Sequence, residues 1–285
     1  EVSLGDIFVH GKYVELITSY ISGRTFRIKY EGVYSDLQEI NAGVPQGSVI
    51  GPLLYVLYTY DLPELIDTTV ATFADDTELL AKGRNIKEST KKVQTAMNTL
   101  LEWTNHWKIK LNELKSVHVN FTNKKINNPP RLEINGNVVP HENSAKYLGM
   151  NLDVRLRWKH HIKKKRNELN LKYKQYYWLM CRRSKLSVSN KVLIYNQILK
   201  PVWLYGCQLW GCASKSNIKI IQTFQSKVLR NIVNAPWFIR NDDIHRDLNV
   251  PEVVEEIKRM AGKHEERLLH HENVEVILLL DNQRI

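Results

Sequence analysis

Cysteine is scarce in this chain, and long hydrophobic runs are missing from its sequence. The three cysteines, Cys181, Cys207 and Cys212, have the spacing of neither a disulfide framework nor a zinc site. We therefore expect a reducing compartment, with the three thiols acting as small apolar packing residues. No hydrophobic run reaches the roughly 20 residues that cross a bilayer, and no signal peptide is recognisable. We expect an intracellular protein with no membrane partner.

Acidic residues are outnumbered by basic ones. The 285 residues include 41 lysines and arginines against 30 aspartates and glutamates, a formal net charge of +11 at pH 7. Such a charge suits a polyanionic partner, although many basic soluble proteins never bind nucleic acid. The length allows one large domain or two modest domains with real hydrophobic cores.

Two adjacent carboxylates, Asp75 and Asp76, lie inside the apolar stretch from Val70 to Leu80. Short runs that are apolar on both faces predict buried strands, so we expect the acidic pair at the tip of a hairpin. Asp-Asp is an unfavourable turn pair, because Asn-Gly or Asp-Gly better supplies the backbone conformations of a two-residue hairpin. Close carboxylates repel unless a cation neutralises them, and Mg²⁺ prefers oxygen ligands. The alternative is a solvated acidic turn without a ligand.

A glycine-rich loop precedes this stretch. Gly43, Gly47 and Gly51 recur at four-residue spacing, which predicts a loop that enters a helix with a face lacking side chains. Such a face lets a flat ligand or a nucleic-acid backbone approach the main chain. Pro52 fits the first turn of the following helix, and Gln46 is placed to donate a hydrogen bond at the mouth of the loop. Ordinary turn chemistry is the alternative.

The remaining patterns place strands first and helices after them. We predict a helix end over residues 12–22, strands over 24–30 and 116–121, and an Asn-Gly hairpin over 132–139. Asn85 and Glu88 form a capping-box signature before a long amphipathic helix. From about Arg157 the pattern is helical. This order predicts an α+β fold, an antiparallel sheet with helices, followed by an all-helical part.

The helical part also carries a strongly basic segment. Glu168 is the single acid between residues 157 and 200, and aromatic residues alternate with the cations. Phosphates neutralise such cations while rings stack on bases, so we predict nucleic-acid binding by the run Lys163, Lys164, Lys165 and Arg166. A solvated helix face or a nuclear import signal is the alternative.

These motifs together resemble those of a reverse transcriptase from a jockey-like non-LTR retrotransposon. Residues 42–48 are similar to motif B of that family, and residues 73–76 to motif C. Residues 103–116 resemble the segment that closes the palm. Tyr147, Leu148 and Gly149 resemble the block near the primer grip. Residues 200–213 and 235–248 resemble the region after the palm. The resemblance covers about residues 12–280.

The resemblance implies an RNA-directed DNA polymerase that adds deoxynucleotides to a DNA primer on an RNA template by two-metal nucleotidyl transfer. Asp75 and Asp76 correspond to catalytic, metal-binding positions, with Mg²⁺ as the cofactor and Mn²⁺ as an alternative. Gln46 and Gly47 would line the pocket for nucleotide and template, and Lys115 would approach the triphosphate. Residues 147–149 would support the primer. Nuclear action is expected, because such elements prime at chromosomal DNA.

The resemblance divides the chain into an unmatched segment 1–11, a partial palm 12–156, and a helical thumb with a C-terminal extension 157–285. It also has a gap. Motif A carries another metal-binding aspartate upstream of motif B, and neither Asp6 nor Asp36 has its flanking residues. We therefore expect a polymerase fragment truncated at both ends and inactive in isolation. A non-catalytic nucleic-acid-binding remnant and a purely structural remnant are the alternatives.

Overall fold

A computed structural model describes residues 11–273 and residue 277 of the chain. The chain divides into two compact units, residues 1–111 and residues 112–285. Most of the predicted N-terminal segment 1–11, including Asp6, lies outside the described residues. The predicted palm and thumb are defined by resemblance rather than by packing, so their boundary at residue 157 stays a prediction.

The first unit contains three helices and three short strand pairs in its described part. Its elements in order are α1 Gly11–Ile21, β1 Arg24–Phe26, β2 Lys29–Tyr30, β3 Val33–Tyr34, β4 Gln38–Ile40, α2 Gly51–Tyr58, β5 Thr69–Phe73, β6 Asp76–Leu80 and α3 Ile86–His106. The pairs are β1 with β4, β2 with β3, and β5 with β6, all antiparallel.

The second unit begins with two further hairpins and is then helical. The hairpins are β7 Glu133–Ile134 with β8 Asn137–Val138, and β9 Ser144–Tyr147 with β10 Met150–Asp153. The helices are α4 Lys159–Met180, α5 Val188–Ile194, a π-helical turn Tyr195–Leu199, α6 Lys200–Leu204, α7 Cys207–Trp210, α8 Lys215–Val233, α9 Asn241–Asp247 and α10 Val253–Leu269.

The hydrophobic core of the second unit lies among these helices. Apolar side chains from α4, the π-helical turn, α6, α7, α8 and α10 are fully or almost fully buried there, including Leu169, Tyr195, Trp203, Trp210, Phe224 and Val253. Burial of large side chains at this density supplies the main stabilisation of a helical unit. The first unit buries far less, since Ala96 and Leu100 of α3 are its only buried hydrophobic residues among those described.

Several local predictions are confirmed. Asn135 and Gly136 form the predicted turn with φ of 50° and 78°, as a two-residue hairpin requires. The Asn85 side chain accepts a hydrogen bond from the Glu88 N–H at 2.9 Å and caps α3. The Glu88 carboxylate, however, accepts from the Arg84 N–H rather than from the N–H of Asn85. The mixed α+β content and the helical second part are also as predicted.

Three fold predictions are wrong. The single antiparallel sheet is replaced by five separate two-stranded pairs, because in the described chain each strand pairs with one nearby partner. Residues 116–121 are not a strand, since His118 forms only an isolated bridge to His141. The strands flanking the acidic pair are not buried: Phe73 is 62% exposed and Leu80 is 52% exposed. Apolar runs predict burial only when another layer covers them.

The prediction that all three cysteines are packing residues is only partly confirmed. Cys207 is buried as predicted, but Cys181 is half-buried and Cys212 is exposed, so packing does not explain all three. Over residues 11–273, no helix is both long enough and apolar enough to cross a bilayer.

Candidate active site and nucleic-acid interface

The β5–β6 hairpin places the acidic pair at its exposed end. Phe73 pairs with Asp76, so the two turn residues are Ala74 and Asp75. Ala74 has a φ of 51°, in the left-handed region that alanine rarely adopts. The prediction that both aspartates form the tip is therefore wrong by one residue: Asp75 lies in the turn, and Asp76 begins β6. This register avoids an Asp-Asp turn and keeps the two carboxylates adjacent and solvent-accessible.

Helix α2 is anchored directly to this turn. The Tyr55 hydroxyl donates a hydrogen bond to the Ala74 carbonyl at 2.8 Å. Burial raises the pKa of Tyr55, and the negative charge of Asp75 raises it further. The bond holds the strained turn residue next to Asp75. Sequence reasoning missed Tyr55, because nothing in the spacing of a tyrosine on α2 indicates a partner nineteen residues away.

The glycine-rich loop enters α2 as predicted. Gly47 has a φ of 81°, a conformation that favours glycine. The Ser48 hydroxyl accepts a hydrogen bond from the Gly51 N–H at 2.9 Å, and Pro52 occupies the first turn of the helix. Gln46 is exposed in this loop. Loop, helix and hairpin thus belong to one unit and are joined through Tyr55.

A third carboxylate lies on the same strand as Asp76. Burial raises the pKa of Glu78, and the charge of Asp76 raises it further. Even so, no group of three or more histidine, cysteine, aspartate or glutamate side chains in the described chain could hold a metal ion. Asp75 and Asp76 match the oxygen ligands that Mg²⁺ takes from proteins, which supply one or two carboxylates and leave other positions to substrate phosphates. The pair therefore supplies the donor chemistry that one such ion takes.

The other predicted nucleotide contact lies in the second unit. Lys115 is exposed in a turn where its backbone N–H donates to the Asn112 side chain at 3.2 Å. Its side chain forms no ion pair within the described residues. The predicted approach of Lys115 to a triphosphate stays a prediction.

The residues predicted to support the primer form a tight turn between β9 and β10. Leu148 and Gly149 are its two turn residues, with φ of 42° and 77°. The Tyr205 hydroxyl donates a hydrogen bond to the Leu148 carbonyl at 2.7 Å. Tyr147, Leu148 and Tyr205 border an apolar cavity of about 620 Å³. Tyr205, from the helical part of the same unit, thus stabilises the turn.

The four predicted nucleic-acid-binding cations do not share one environment. Lys163 and Lys164 are exposed on α4. Lys165 forms an ion pair with Glu168 at 3.0 Å. Arg166 points toward α8, where it donates to the Ile220 carbonyl at 3.0 Å and lies over the Phe224 ring. Burial lowers the pKa of Arg166. Arg166 thus has a packing role that the sequence did not reveal.

Two aromatic residues accompany the exposed lysines. Trp178 is 68% exposed and Tyr177 is 48% exposed near the end of α4. One face of α4 carries Lys164, Lys174 and Trp178, because their separations along the chain correspond to nearly whole helical turns. This face therefore combines cations with a ring available for stacking.

Comparison with known proteins identifies the family of the chain. The model of the family described as reverse transcriptase (RNA-dependent DNA polymerase) matches residues 6–152, just over half of the chain. The chain belongs to the reverse transcriptase family. The matched range contains the glycine-rich loop, α2, Asp75 and Asp76, and it begins inside the segment 1–11 that resemblance alone left unmatched.

Three proteins similar to this chain come from Drosophila melanogaster. The probable RNA-directed DNA polymerase from transposon X-element is 42% identical, over 92% of this chain and 29% of the relative. The RNA-directed DNA polymerase from mobile element jockey is 37% identical, over 90% of this chain and 29% of the relative. The probable RNA-directed DNA polymerase from transposon BS is 35% identical, over 92% of this chain and 30% of the relative. The predicted relation to jockey-like elements is confirmed, and the chain spans less than a third of each relative.

Proposed function

We propose that this chain is the part of a non-LTR retrotransposon reverse transcriptase that carries one catalytic aspartate pair and a nucleic-acid-binding helical region. In the whole enzyme, it would add deoxynucleotides to a DNA primer on an RNA template. The observation that carries this proposal is the hairpin turn containing Asp75, which Tyr55 of the glycine-loop helix anchors at 2.8 Å. Residues 12–156 would form part of the palm and residues 157–285 the thumb and its extension.

The contribution of the chain to catalysis is mainly positional. Asp75 and Asp76 would hold Mg²⁺, or Mn²⁺ in its place, which when bound neutralises charge on phosphate oxygens. Gln46 and Gly47 would face the nucleotide and the templating base, because the loop before α2 exposes its main chain. Lys115 would approach the triphosphate, and residues 147–149 would support the primer by packing.

The exposed face of α4 would hold the template–primer duplex. Lys163 and Lys164 would neutralise phosphates, and Trp178 would contact sugar or base at the end of the helix. Such binding weakens steeply with salt, because each neutralised phosphate releases counterions. Since Lys165 and Arg166 already have protein partners, the run 163–166 offers a nuclear import receptor only two exposed cations. Two exposed lysines can still each contact a phosphate, so we favour duplex binding over an import signal for this run. For the whole enzyme we propose nuclear action, because such elements prime at chromosomal DNA.

The isolated chain should bind nucleic acid without extending a primer. Asp36 lies between β3 and β4, and it lacks the residues that flank the motif A aspartate. Two-metal nucleotidyl transfer would need more metal-holding carboxylates than the one pair that Asp75 and Asp76 supply.

Primer extension with a DNA primer on an RNA template tests this proposal. The chain and its Asp75→Asn variant are compared in Mg²⁺ and in Mn²⁺, and duplex binding is measured on the same samples. We expect equal binding and no extension from either protein. Extension that Asp75→Asn abolishes would refute the claim that the chain alone is inactive. Absence of duplex binding would refute the proposed role of α4.

A non-catalytic nucleic-acid-binding function is the second candidate. It is favoured by the exposed cations and rings of α4. They lie in the second unit, whereas Asp75 and Asp76 lie in the first. Under this function, Asp75→Asn would have no consequence even when the upstream part of the enzyme is supplied.

A further inference from the structure

A second exposed aromatic pair lies between α8 and α9. Trp237 is 90% exposed and Phe238 is 66% exposed. Their ring centroids are 6.0 Å apart, with an angle of 82° between the ring planes. The two rings therefore do not stack on each other, and the face of Trp237 stays open to solvent. Large exposed aromatic surfaces in a folded unit indicate a binding role more often than a stabilising one.

Arg230 of α8 fixes the loop that presents these rings. Its guanidinium donates to the carbonyl of Ile239 at 2.7 Å, to the side chain of Asn241 at 3.1 Å, and to the carbonyl of Pro236. These bonds hold the loop on both sides of Trp237. A ring presented on a restrained loop loses little conformational entropy when a ligand stacks on it.

The surroundings of the loop carry positive charge. Residues 215–241 contain five lysines and arginines and no acidic residue. Lys219, Thr223 and Lys227 are exposed at four-residue spacing and therefore form a stripe along α8. Lys227 forms no ion pair in the part of the chain that the structure describes. This local excess of positive charge favours an anionic ligand over a neutral or basic protein surface.

A cavity borders the stripe at Thr223 and Lys227 and the two ends of the aromatic loop at Ala235 and Asn241. It has a volume of about 410 Å³ and is open to solvent. Hydroxyl, amide and cationic groups line it, from Thr223, Ser226, Lys227, Arg230, Asn231 and Asn234. Such groups donate hydrogen bonds to phosphate oxygens without requiring a defined base sequence. Of the acids on the neighbouring helix α9, Asp243 is paired with Arg246 at 2.8 Å, which reduces its repulsion of a phosphate.

We propose that α8 and the loop after it form a binding site for unpaired nucleic acid, with a base stacked on Trp237 and a phosphate at Lys227. Base stacking on an aromatic ring together with a cationic groove is the physical basis of single-strand binding. The site uses neither Asp75 nor the exposed face of α4. It rests on the proposed function only because its ligand is again a nucleic acid. Both RNA and DNA satisfy this chemistry.

Fluorescence anisotropy with labelled oligonucleotides tests the site on the full chain. The ligands are a 12-nucleotide single-stranded RNA, the matching DNA, and an RNA–DNA duplex. The variants are Trp237→Ala, Trp237→Phe and Lys227→Gln. Lys258→Gln, at an exposed lysine of α10, is the matched control for loss of one charge. Lys163→Gln combined with Lys164→Gln reports on the face of α4.

We expect Trp237→Ala to weaken single-strand binding by about 5-fold to 150-fold, as stacking energies predict, and to leave duplex binding unchanged. Trp237→Phe should retain most of the affinity, because it retains a ring. Lys227→Gln should reduce the slope of log affinity against log salt by about 0.7, and Lys258→Gln should not. Comparison of RNA with DNA then identifies the source of the strand. Equal melting temperatures would show that the variants are folded.

Single-strand binding that is unchanged in Trp237→Ala would overturn this site. If Trp237→Ala instead altered only self-association in sedimentation, the loop would be a protein contact and the proposal would also be wrong. Loss of duplex binding in the double lysine variant, together with unchanged single-strand binding in Trp237→Ala, would leave the proposed function intact and remove this inference alone. Failure of the chain to bind any of the ligands would refute both.

Discussion

Acidification should destabilise the second unit through His161. This side chain is fully buried on α4, and its Nδ1 accepts a hydrogen bond from the Asn151 N–H at 3.2 Å. Its Nε2 has no hydrogen-bond partner among the described residues. Burial first, and then the charge of Lys165, lower the pKa of His161 from 6.5 to about 4, whereas Glu168 acts in the opposite direction. A proton on His161 would also break the bond from Asn151.

The sign of the effect follows from the lowered pKa. In the unfolded chain His161 takes up a proton near pH 6.5, whereas in the folded chain it does so only near pH 4. The stabilisation is therefore fully present above pH 6.5 and is lost as the pH falls toward 4. Between pH 8 and pH 5 the loss amounts to about 2 kcal/mol in the free energy of unfolding.

Urea unfolding of the chain and of His161→Gln at both pH values measures this loss. The variant removes the titrating group, so its stability should change by about 2 kcal/mol less between pH 8 and pH 5 than that of the parent. Any constant cost of the substitution cancels in this difference, as do the contributions of other histidines. Equal pH dependence in the two proteins would refute the reasoning. Proton NMR of the His161 ring provides a direct check, because titration near pH 6.5 would contradict a buried neutral imidazole.

Further substitutions test single contacts. Asp61→Asn should lower the stability of the first unit by about 1–2 kcal/mol in urea unfolding, because the carboxylate accepts bonds from two indole N–H groups and an amide cannot replace both. Tyr55→Phe should speed hydrogen exchange of the β5–β6 amides by about 5-fold, since it removes the bond to Ala74; unchanged exchange would contradict the anchoring role. Gly136→Ala should lower the melting temperature, because its φ is 78°, whereas Gly262→Ala should not.

The local parts of the fold could be predicted from the sequence. The cap at Asn85, Pro52 in the first turn of α2 and the turn at Gly136 depend on interactions within a few residues, so a short pattern contains their causes. The single sheet and the strand over residues 116–121 were wrong, because pairing between distant strands leaves no local signature. Exposure of β5 and β6 could not be foreseen either, since an apolar run does not specify what covers it.

The candidate site was predicted in composition but not in geometry. The carboxylates, the glycine loop and the hairpin were all expected, yet the turn residues are Ala74 and Asp75. The anchor from Tyr55 and the inward orientation of Arg166 both involve partners far along the chain, and residue spacing on one helix does not reveal them. The exposure of Trp237 likewise became visible only when α8 and its following loop were placed.

The central claim is that Asp75 is a catalytic residue of a reverse transcriptase, and a chimera tests it most directly. In the chimera, this chain replaces the matching region of the jockey relative. Primer extension on an RNA template is measured for the chimera, for its Asp75→Asn variant and for its Glu64→Gln variant. Glu64 is the matched control because it is an exposed acid outside the hairpin. The account predicts extension by the chimera and by Glu64→Gln, with a loss of at least about 100-fold in Asp75→Asn. Equal extension by the chimera and Asp75→Asn would contradict it.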